Sequence, residues 1–420
     1  MNRTIKLALT ATLALGTTST FATNGSMLIG MGAKSRGMAG TAIGVGHGAE
    51  SALSNPALIT TIANDHEISF GGTFFMPDVS ASYTAQSQQG TMNSSSTTSA
   101  SDLSIVPEVS LTTKINDNFY WGVGMWGTAG MGVDYRDASA NSGTMNMVTN
   151  LQSMQFGLPL AVTANGLSFA VTPLLQYGAL DINYKFGNEN VGDGIAQDLE
   201  FGYTLGLAYT AKGFTVGAVY KSEIEMDFKG QLSGATQPFV NMGIFQAPMS
   251  DKLSTPSELG AGLSYITGKH TIAFDYKQIK WSDASGYKDF GWEDQDVYAL
   301  GYEYTTKQWA LRLGYNYASN PISDAGAVTM QQGGMNMSSY AGNALNMFNL
   351  LGFPATVESH YAVGGTYAFT TTTSLDMAFT YAPETKTTLR TMPDMTHGAD
   401  VETTVKHSQT ALTLQLNYLF

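Results

Sequence analysis

Apolar and polar residues alternate along most of the chain with a period of two. Near the C-terminus, Leu412, Leu414 and Leu416 fall on one parity, whereas Thr413 falls on the other. Successive side chains of a β-strand point to opposite faces, so this stretch predicts a strand with one apolar and one polar face. Phe420 closes the stretch. A terminal aromatic residue is typical of the last strand of a bacterial outer-membrane barrel.

The same pattern repeats after residue 65. We predict fourteen strands, at about residues 66–77, 102–115, 118–134, 149–164, 166–184, 199–211, 213–229, 253–267, 269–282, 294–305, 307–319, 357–370, 373–384 and 404–420. Six short turns and seven long loops alternate between them. This is the pattern of an up-and-down barrel with short periplasmic turns and long external loops. The sequence therefore predicts an all-β fold, a 14-stranded antiparallel transmembrane β-barrel formed by residues 65–420.

Charged residues within the predicted strands test this assignment. A Lys or Arg that faces lipid at mid-bilayer costs about 2–4 kcal/mol, so strand charges should share the polar, lumen-facing parity. Arg312 obeys this rule, because its immediate neighbours on the opposite parity are leucines. By the same rule we expect Lys221, Glu223, Glu225 and Asp227 all to face the lumen.

Residues 1–22 have the organisation of a secretory signal peptide. Arg3 and Lys6 form a positive start, residues 7–16 are mainly apolar, and small residues surround a cleavage site after Ala22. The apolar run is well short of the roughly 20 residues that a spanning helix needs. We therefore expect an exported protein, which is periplasmic, secreted or an outer-membrane barrel.

Residues 23–64 lack the strand pattern and come before the first predicted strand. We expect them to fill the lumen of the barrel. Fourteen strands enclose a space too wide for wall side chains alone to fill. Seven glycines fall between residues 30 and 48, and the charged residues of 23–64 before Asp65 are Lys34, Arg36 and Glu50. Such small, weakly charged sequence favours a compact hatch inside the barrel, whereas a disordered linker is usually polar. A flexible N-terminal linker is the alternative.

The amino-acid composition narrows the possible classes of protein further. Only 13% of the 420 residues are charged, and the chain contains 46 Gly, 21 Tyr and 20 Phe, which suits many strands near lipid. A mean hydropathy of -0.06 is too low for a bundle of membrane helices. The formal net charge of -13 argues against a nucleic-acid partner, and the absence of cysteine excludes disulfides and thiol chemistry.

Three stretches carry a family resemblance. Residues 54–60 contain Asn55, Pro56 and Ala57, and residues 220–230 run from a Tyr-Lys-Ser-Glu sequence to Phe-Lys-Gly. The third stretch runs from Leu253 to Trp281 and on through residues 298–301 and 319–321. In this order, and with fourteen strands, the chain resembles the FadL family, outer-membrane transporters of long-chain fatty acids and aromatic hydrocarbons.

The resemblance implies a monomeric barrel closed by an N-terminal hatch, here with Met27, Leu28, Asn55, Pro56 and Ala57 as hatch residues. It also implies a route: substrates bind a groove between external loops, move to a deeper pocket and leave sideways into the bilayer through a kink in the third strand. The expected partners are a hydrophobic small molecule, outer-membrane lipid with lipopolysaccharide, and the barrel-assembly machinery.

Two loops carry the apolar residues expected to capture substrate. They are Phe239, Met242, Ile244, Phe245 and Met249 in loop 230–252, and Phe348 and Leu351 in loop 320–356, where a short amphipathic helix is expected. Exposed apolar loops are unfavourable unless they bind something, and Met adapts to varied apolar shapes. Packing of the two loops on each other is a compatible alternative.

A carboxylate head group would need a cation. Lys185 occupies the place of a family basic residue before Phe, and Arg312 points inward; a salt bridge in the lumen is the alternative role for each. Where the family has a second basic residue, this chain has Glu293, Asp294 and Asp296. Because acids stand where the family has a base, an uncharged substrate is an alternative to a carboxylate.

The third predicted strand is dense in glycine. Its glycines are Gly122, Gly124, Gly127, Gly130 and Gly132. Glycine weakens strand pairing and permits a bulge, which predicts the kink of a lateral exit. The alternative is that these glycines fit the curvature of the wall.

We therefore predict passive uptake of hydrophobic compounds, with long-chain fatty acids favoured. A general or aromatic-hydrocarbon-specific porin-like channel is the alternative, followed by an outer-membrane hydrolase. None of the six histidines has the spacing of a metal site, so we expect no catalytic residues, no metal and no cofactor.

Overall fold

The computed structural model describes residues 23–87, 90–139, 142–327, 338–391 and 400–420. The predicted signal peptide lies outside the described residues. Fourteen antiparallel strands form the wall. They are β1 (His66–Ser87), β2 (Ser104–Lys114), β3 (Phe119–Asp134), β4 (Val148–Gly157 with Leu160–Ala164), β5 (Leu167–Phe186), β6 (Ala196–Ala211), β7 (Phe214–Lys221), β8 (Glu258–Thr267), β9 (His270–Ile279), β10 (Gln295–Thr305), β11 (Trp309–Ala318), β12 (Ser359–Ala368), β13 (Thr373–Arg390) and β14 (Asp400–Leu419).

The wall closes on itself. Each strand pairs with its sequence neighbours, and β14 pairs with β1 from Asp400↔Gln86 to Leu419↔Glu67. The predicted 14-stranded antiparallel barrel is confirmed. The structure extends β1, β13 and β14 into segments predicted as loops, because their Thr-rich ends continue the same hydrogen-bonded ladder.

The barrel is polar inside and apolar outside. Leu311, Leu313 and Leu414 are exposed on the outer face, whereas Thr73 and Gln415 are buried on the inner face. Exposed aromatic residues lie toward both ends of the strands, as in the aromatic girdles of outer-membrane barrels. They include Phe119, Phe214, Trp309 and Tyr418 at the short-turn end and Tyr203, Tyr220, Tyr298 and Tyr381 toward the other. An apolar outer face and a polar inner face are those of a barrel that spans a membrane with its strands.

One expectation about inward charges is wrong. The wall strand β7 ends at Lys221, and after Ser222 the parity reverses, so Glu223, Glu225 and Asp227 are exposed and do not continue the inward face of the wall strand. Strands Ile224–Asp227 and Lys252–Thr255 leave the wall and pair only with each other; we call them the inner hairpin. Pro256, between the hairpin and β8, lacks the N–H needed to continue the ladder.

The apolar face of the inner hairpin packs against the inner side of the wall. A Cβ added to Gly202 of β6 would lie 2.4 Å from Ile224 Cδ1, and one added to Gly178 of β5 would lie 2.8 Å from Met226 Cε. Glycine at these wall positions therefore lets the hairpin approach. The opposite face of the hairpin carries Glu225 and is exposed to solvent.

Residues 23–64 lie inside the barrel and form the hatch. The hatch contains short strands Thr23–Asn24 and Met27–Leu28, helices α1 (Gly32–Gly37) and α2 (Ser51–Ser54), and 3-10 turns Gly48–Glu50 and Pro56–Thr61. Met27 pairs with Ala129 of β3. The external loops hold α3 (Gln231–Asn241), α4 (Ser338–Met347) and a π-helix, Phe348–Gly352. Among the described residues, no helix is both long and apolar enough to cross a membrane.

Candidate functional site

The hatch is fixed to β9 through a single carboxylate. Asp275 accepts hydrogen bonds from the backbone N–H groups of Ala42, Ile43 and Gly44, at 2.6, 2.7 and 3.2 Å. The hatch backbone also approaches β8 closely, because a Cβ on Gly44 would lie 2.3 Å from Leu263 N. The glycine and the carboxylate together place this hatch loop directly against the wall.

The Asn-Pro-Ala motif holds the same loop from another side. Asn55 Nδ2 donates to the carbonyl oxygens of Ile43, at 2.8 Å, and Leu207 of β6, at 3.2 Å. Asn55 Oδ1 accepts from Ala57 N, and Pro56 begins the following 3-10 turn. The motif therefore ties the hatch loop to β6 while capping its own turn.

A second set of contacts, made of buried ion pairs, lies under the hatch. Lys34 Nζ lies 3.3 Å from Glu50, 3.9 Å from Glu67 and 3.6 Å from Asp376. Although burial alone would lower the pKa of Lys34, these carboxylates raise it above its ordinary value. Arg36 is buried and pairs with Glu108 of β2. Breaking one partner of such a pair leaves an uncompensated buried charge, which is strongly destabilising.

A cavity lies between the hatch and the wall above these contacts. Its empty space, counted with its openings, is about 880 Å³. Most of its lining is apolar and comes from both parts of the molecule, including Met27, Leu28, Leu53, Leu174, Ile224 and Val297. Apolar surface with a few convergent polar groups is the usual composition of a small-molecule site.

The charged part of the cavity lining consists of Asp275 and a triad of two lysines and one glutamate. Lys221 Nζ lies 3.0 Å from Glu258 Oε1, and Lys277 Nζ lies 3.0 Å from Glu258 Oε2. One carboxylate therefore serves two ammonium groups, which leaves a formal charge of +1. The carboxylate of Asp275, two residues from Lys277, already accepts hydrogen bonds from the backbone amides of the hatch. The triad can accept an anionic group from a ligand.

Neither cation singled out in the sequence lines this cavity. Lys185 is exposed at the end of β5, where its backbone N–H donates to Met145 O. Arg312 is buried and its guanidinium contacts Glu303, at 2.6 Å, and Thr366, at 2.8 Å. Sequence parity placed Lys221 on the inward face, but nothing in the pattern showed that the cavity would reach it.

The apolar loop residues lie in one cluster at the external end. Phe239, Phe348 and Leu351 are almost fully buried, and Ile244 is buried too. The rings of Phe239 and Phe348 are 5.6 Å apart, centroid to centroid, in an edge-to-face contact. The two loops thus pack on each other, which is the alternative given in the sequence analysis for these apolar residues.

The other three loop residues on the predicted capture surface remain accessible. Met242 is exposed, while Phe245 and Met249 are half-buried against the cluster. An apolar molecule that reaches the external loops would therefore first meet these three side chains.

The glycine-rich strand β3 is regularly paired in its first half and irregular in its second half. Its register against β4 shifts between Gly127 and Ala129, and both faces of the strand are buried from Gly127 to Asp134. Its pairing with β2 stops at Trp126. Of the five predicted kink glycines, Gly122 and Gly124 lie in the regular part, and Gly127, Gly130 and Gly132 lie at or beyond the shift. Thr128, at the shift itself, lines the cavity.

No group of three or more His, Cys, Asp or Glu side chains suited to a metal occurs within the described ranges. His360 and His407 are buried and linked through Gln409, with His360 Nε2 3.2 Å and His407 Nε2 3.1 Å from the Gln409 amide. These contacts give the two histidines a structural role in the wall.

Comparison with known proteins identifies the family of the chain and solved structures with the same fold. Residues 13–330 match the model of the outer membrane protein transport proteins of the OMPP1/FadL/TodX type. A long-chain fatty acid transport protein of Escherichia coli is 26% identical over 321 residues, which cover 64% of this chain and 71% of that protein.

Two solved structures bear on the fold alone. A FadL homologue of Pseudomonas aeruginosa superposes with a TM-score of 0.70 at 15% identity, over 94% of this chain and 99% of that one. The toluene transporter TodX of Pseudomonas putida gives a TM-score of 0.63 at 15% identity, over 93% of this chain and 99% of that one.

Two buried groups of the hatch predict how its docking depends on pH. Burial raises the pKa of Glu50 from 4.5 to about 7, against the attraction of Lys34. Docking therefore weakens as pH rises through this window, since a released Glu50 would lose its proton. Burial lowers the pKa of His47 from 6.5 to about 4, so docking weakens as pH falls through that window. The two effects oppose each other between pH 4.5 and 6.5.

We predict that Glu50→Gln makes hatch docking more acid-sensitive, by up to about 1.4 kcal/mol per pH unit, because the opposing effect of Glu50 is removed. A cysteine introduced at the buried Ala49 of this cysteine-free chain reports docking through its rate of maleimide labelling. Because the thiolate is the reacting species, each rate is divided by that of free cysteine at the same pH. From pH 6.5 to 4.5 this relative rate should rise more in Glu50→Gln than in the parent or in a Glu50→Gln, His47→Gln control. The same pH dependence in all three proteins would contradict the prediction.

Proposed function

Because the chain belongs to the OMPP1/FadL/TodX family of outer membrane transport proteins, we propose that it takes up long-chain fatty acids by capture, internal binding and lateral release. Transport of hydrophobic compounds across the Gram-negative outer membrane is what the family and the barrel establish, and members of this family are transporters, not enzymes. The substrate and the route are the proposed parts.

The observation that carries the proposal is the lysine–glutamate triad in a cavity whose lining is mostly apolar. Burying one methylene contributes about 0.8 kcal/mol, so a long alkyl chain has a strong reason to leave water for the cavity. A carboxylate head group that reaches Lys221 and Lys277 forms charge-assisted hydrogen bonds, which are stronger than neutral ones. Both ends of a fatty acid thus find a complementary surface. An uncharged hydrocarbon would use the apolar part alone.

Entry begins at the external loops in this proposal. Met242, Phe245 and Met249 offer an adaptable apolar surface above the Phe239–Phe348 cluster. We assign capture to this surface, with Ile244 and Leu351 supporting it from below. Lys185 and Arg312, which lie outside the cavity, have no head-group role in the revised proposal.

Binding at the triad can affect the hatch through β9. Lys277 and Asp275 lie on the same face of β9, and Asp275 holds the hatch amides. A carboxylate at Lys277 adds negative charge beside Asp275, where the low local dielectric strengthens the repulsion. In this proposal that repulsion loosens the hatch loop and enlarges the cavity.

Release is assigned to the bulge of β3, where pairing with β2 has stopped and Thr128 borders the cavity. The predicted contacts with lipopolysaccharide and with the barrel-assembly machinery, and the predicted monomeric state, stay predictions.

Removing one cation from the triad should weaken the binding of fatty acids without changing the binding of hydrocarbons. We predict that Lys277→Met weakens oleate binding about ten- to hundredfold, because a hydrogen bond to a charged group contributes about 1.5–3 kcal/mol. Toluene binding should not change. Titration calorimetry of the purified protein measures both, and Glu258→Gln should tighten oleate binding because both lysines remain. Lys280→Met, which removes a cation paired with Asp294 outside the cavity, is the matched control. Equal oleate affinity in Lys277→Met and Lys280→Met would refute the head-group site.

Filling the β3 bulge should block release. A Cβ on Gly127 would lie 2.5 Å from Val106 Cγ1, so Gly127→Val combined with Gly130→Val fills the boundary between β2 and β3. We predict at least twofold slower uptake of radiolabelled oleate by cells, with normal membrane insertion and retained oleate binding. Ala218→Val on β7 is a control for the β-branched substitution. Unchanged uptake in the double variant would remove the lateral exit from the proposal.

A further inference from the structure

The wall has a second discontinuity, which lies away from β3. β6 pairs with β7 from Thr204↔Lys221 to Ala211↔Phe214. Beyond Thr204, residues 196–203 of β6 keep β5 on one side, and within the described chain they have no ladder partner on the other. The space beside this edge is taken by the inner hairpin. We call the boundary between residues 196–203 and the inner hairpin the side seam.

Few hydrogen bonds hold the side seam. Ser222 N donates to Tyr203 O at 3.0 Å, and Tyr203 N donates to Ser222 Oγ at 3.0 Å. Farther along, Asp227 N donates to Asp198 Oδ2 at 2.7 Å. Below the seam, by contrast, a continuous ladder joins β6 to β7. The seam is therefore a place where two parts of the wall can separate without breaking a ladder.

The two sides of the seam differ in what they face. On the outer surface, Phe201 is 78% exposed, and Leu199, Tyr203, Tyr220 and Leu259 beside it are also exposed apolar residues. A cluster of this kind on a transmembrane wall contacts lipid.

On the inner surface, Ser222, Ile224 and Pro256 line the cavity that holds the lysine–glutamate triad. Between the cavity and the lipid-facing surface lie the contact of Ile224 with Gly202, the Ser222–Tyr203 and Asp227–Asp198 hydrogen bonds, and the Tyr203–Tyr220 ring contact.

We infer that the side seam is a second lateral opening, through which the alkyl chain of a hydrophobic substrate passes between the cavity and the outer leaflet. The inference rests on the proposed function. The hairpin side of the seam carries the exposed acids Glu223 and Glu225, and the β6 side carries the exposed apolar residues Phe201 and Tyr203. We therefore place the seam at the boundary between water and lipid. An amphiphile can keep its head group at this level while its chain enters the membrane.

Opening requires only a displacement of the inner hairpin. The hairpin pairs with no wall strand, and its strands join β7 and β8 through the short breaks at Ser222–Glu223 and Pro256–Ser257. Because Gly202 has no side chain, the side chains of Ile224 and Ser222 fill the seam at that point.

A disulfide across the seam tests the inference in a chain that has no cysteine of its own. A Cβ at residue 202 would lie 2.5 Å from Ile224 Cγ1, which places the two Cβ atoms within the range of a disulfide. We predict that oxidised Gly202→Cys, Ile224→Cys protein takes up radiolabelled oleate about twofold more slowly than the same protein after reduction, because the β3 route stays open. Recovery on reduction shows that the variant is folded. Oleate binding by the purified protein should persist in both states.

The matched control places a disulfide in the continuous ladder, at the directly opposed residues Leu207 and Ala218. Oxidation of Leu207→Cys, Ala218→Cys protein should leave uptake unchanged. Equal uptake by the oxidised and reduced seam variant would overturn the side seam and leave the proposed function standing. Failure of the unaltered chain to raise oleate uptake above that of cells lacking it would overturn both.

Discussion

The buried polar contacts between hatch and wall are the interaction on which the rest of the structure depends. A barrel in a membrane must turn its apolar side chains outward, so its inner face is polar and includes charges such as Glu108, Asp275 and Asp376. Those charges need partners, because an unpaired buried charge is costly. The hatch supplies them with Arg36, Lys34 and the backbone amides of residues 42–44.

This arrangement explains why the position of the hatch against the wall is specific. Buried ion pairs fix the position of a group more than they stabilise it, since desolvation offsets much of their attraction. The apolar cavity lies beside the ion pairs and shares Asp275's strand with Lys277. A ligand charge placed at the triad therefore acts on the same electrostatic balance that holds the hatch. A hatch held by apolar packing alone would not respond in this way.

Much of the fold follows from the sequence, because a strand's period of two is a local property. The fourteen wall strands, the hatch and the inward position of Arg312 and Lys221 could all be predicted. The reversal after Ser222 could not, since apolar and polar residues continue to alternate through residues 224–228 while the chain leaves the wall. Pro256 was the local signal for this break, because proline cannot continue a central strand.

The candidate site was less predictable, for a different reason. Which inward cation meets the cavity depends on where the hatch lies against the wall, and that is a tertiary property. Arg312 is enclosed by Glu303, Thr366 and the hatch, whereas Lys221 and Lys277 border open space. Likewise Phe239 and Phe348 are apolar loop residues whose packing against each other no local pattern reveals.

The most direct test of the account is the conductance of the purified protein in planar lipid bilayers. A hatch held inside the lumen by buried charge contacts predicts no steady ion current, although the lumen of a bare 14-stranded wall would conduct. A steady, porin-like current from the intact chain would show that the hatch does not close the barrel, and would contradict the account.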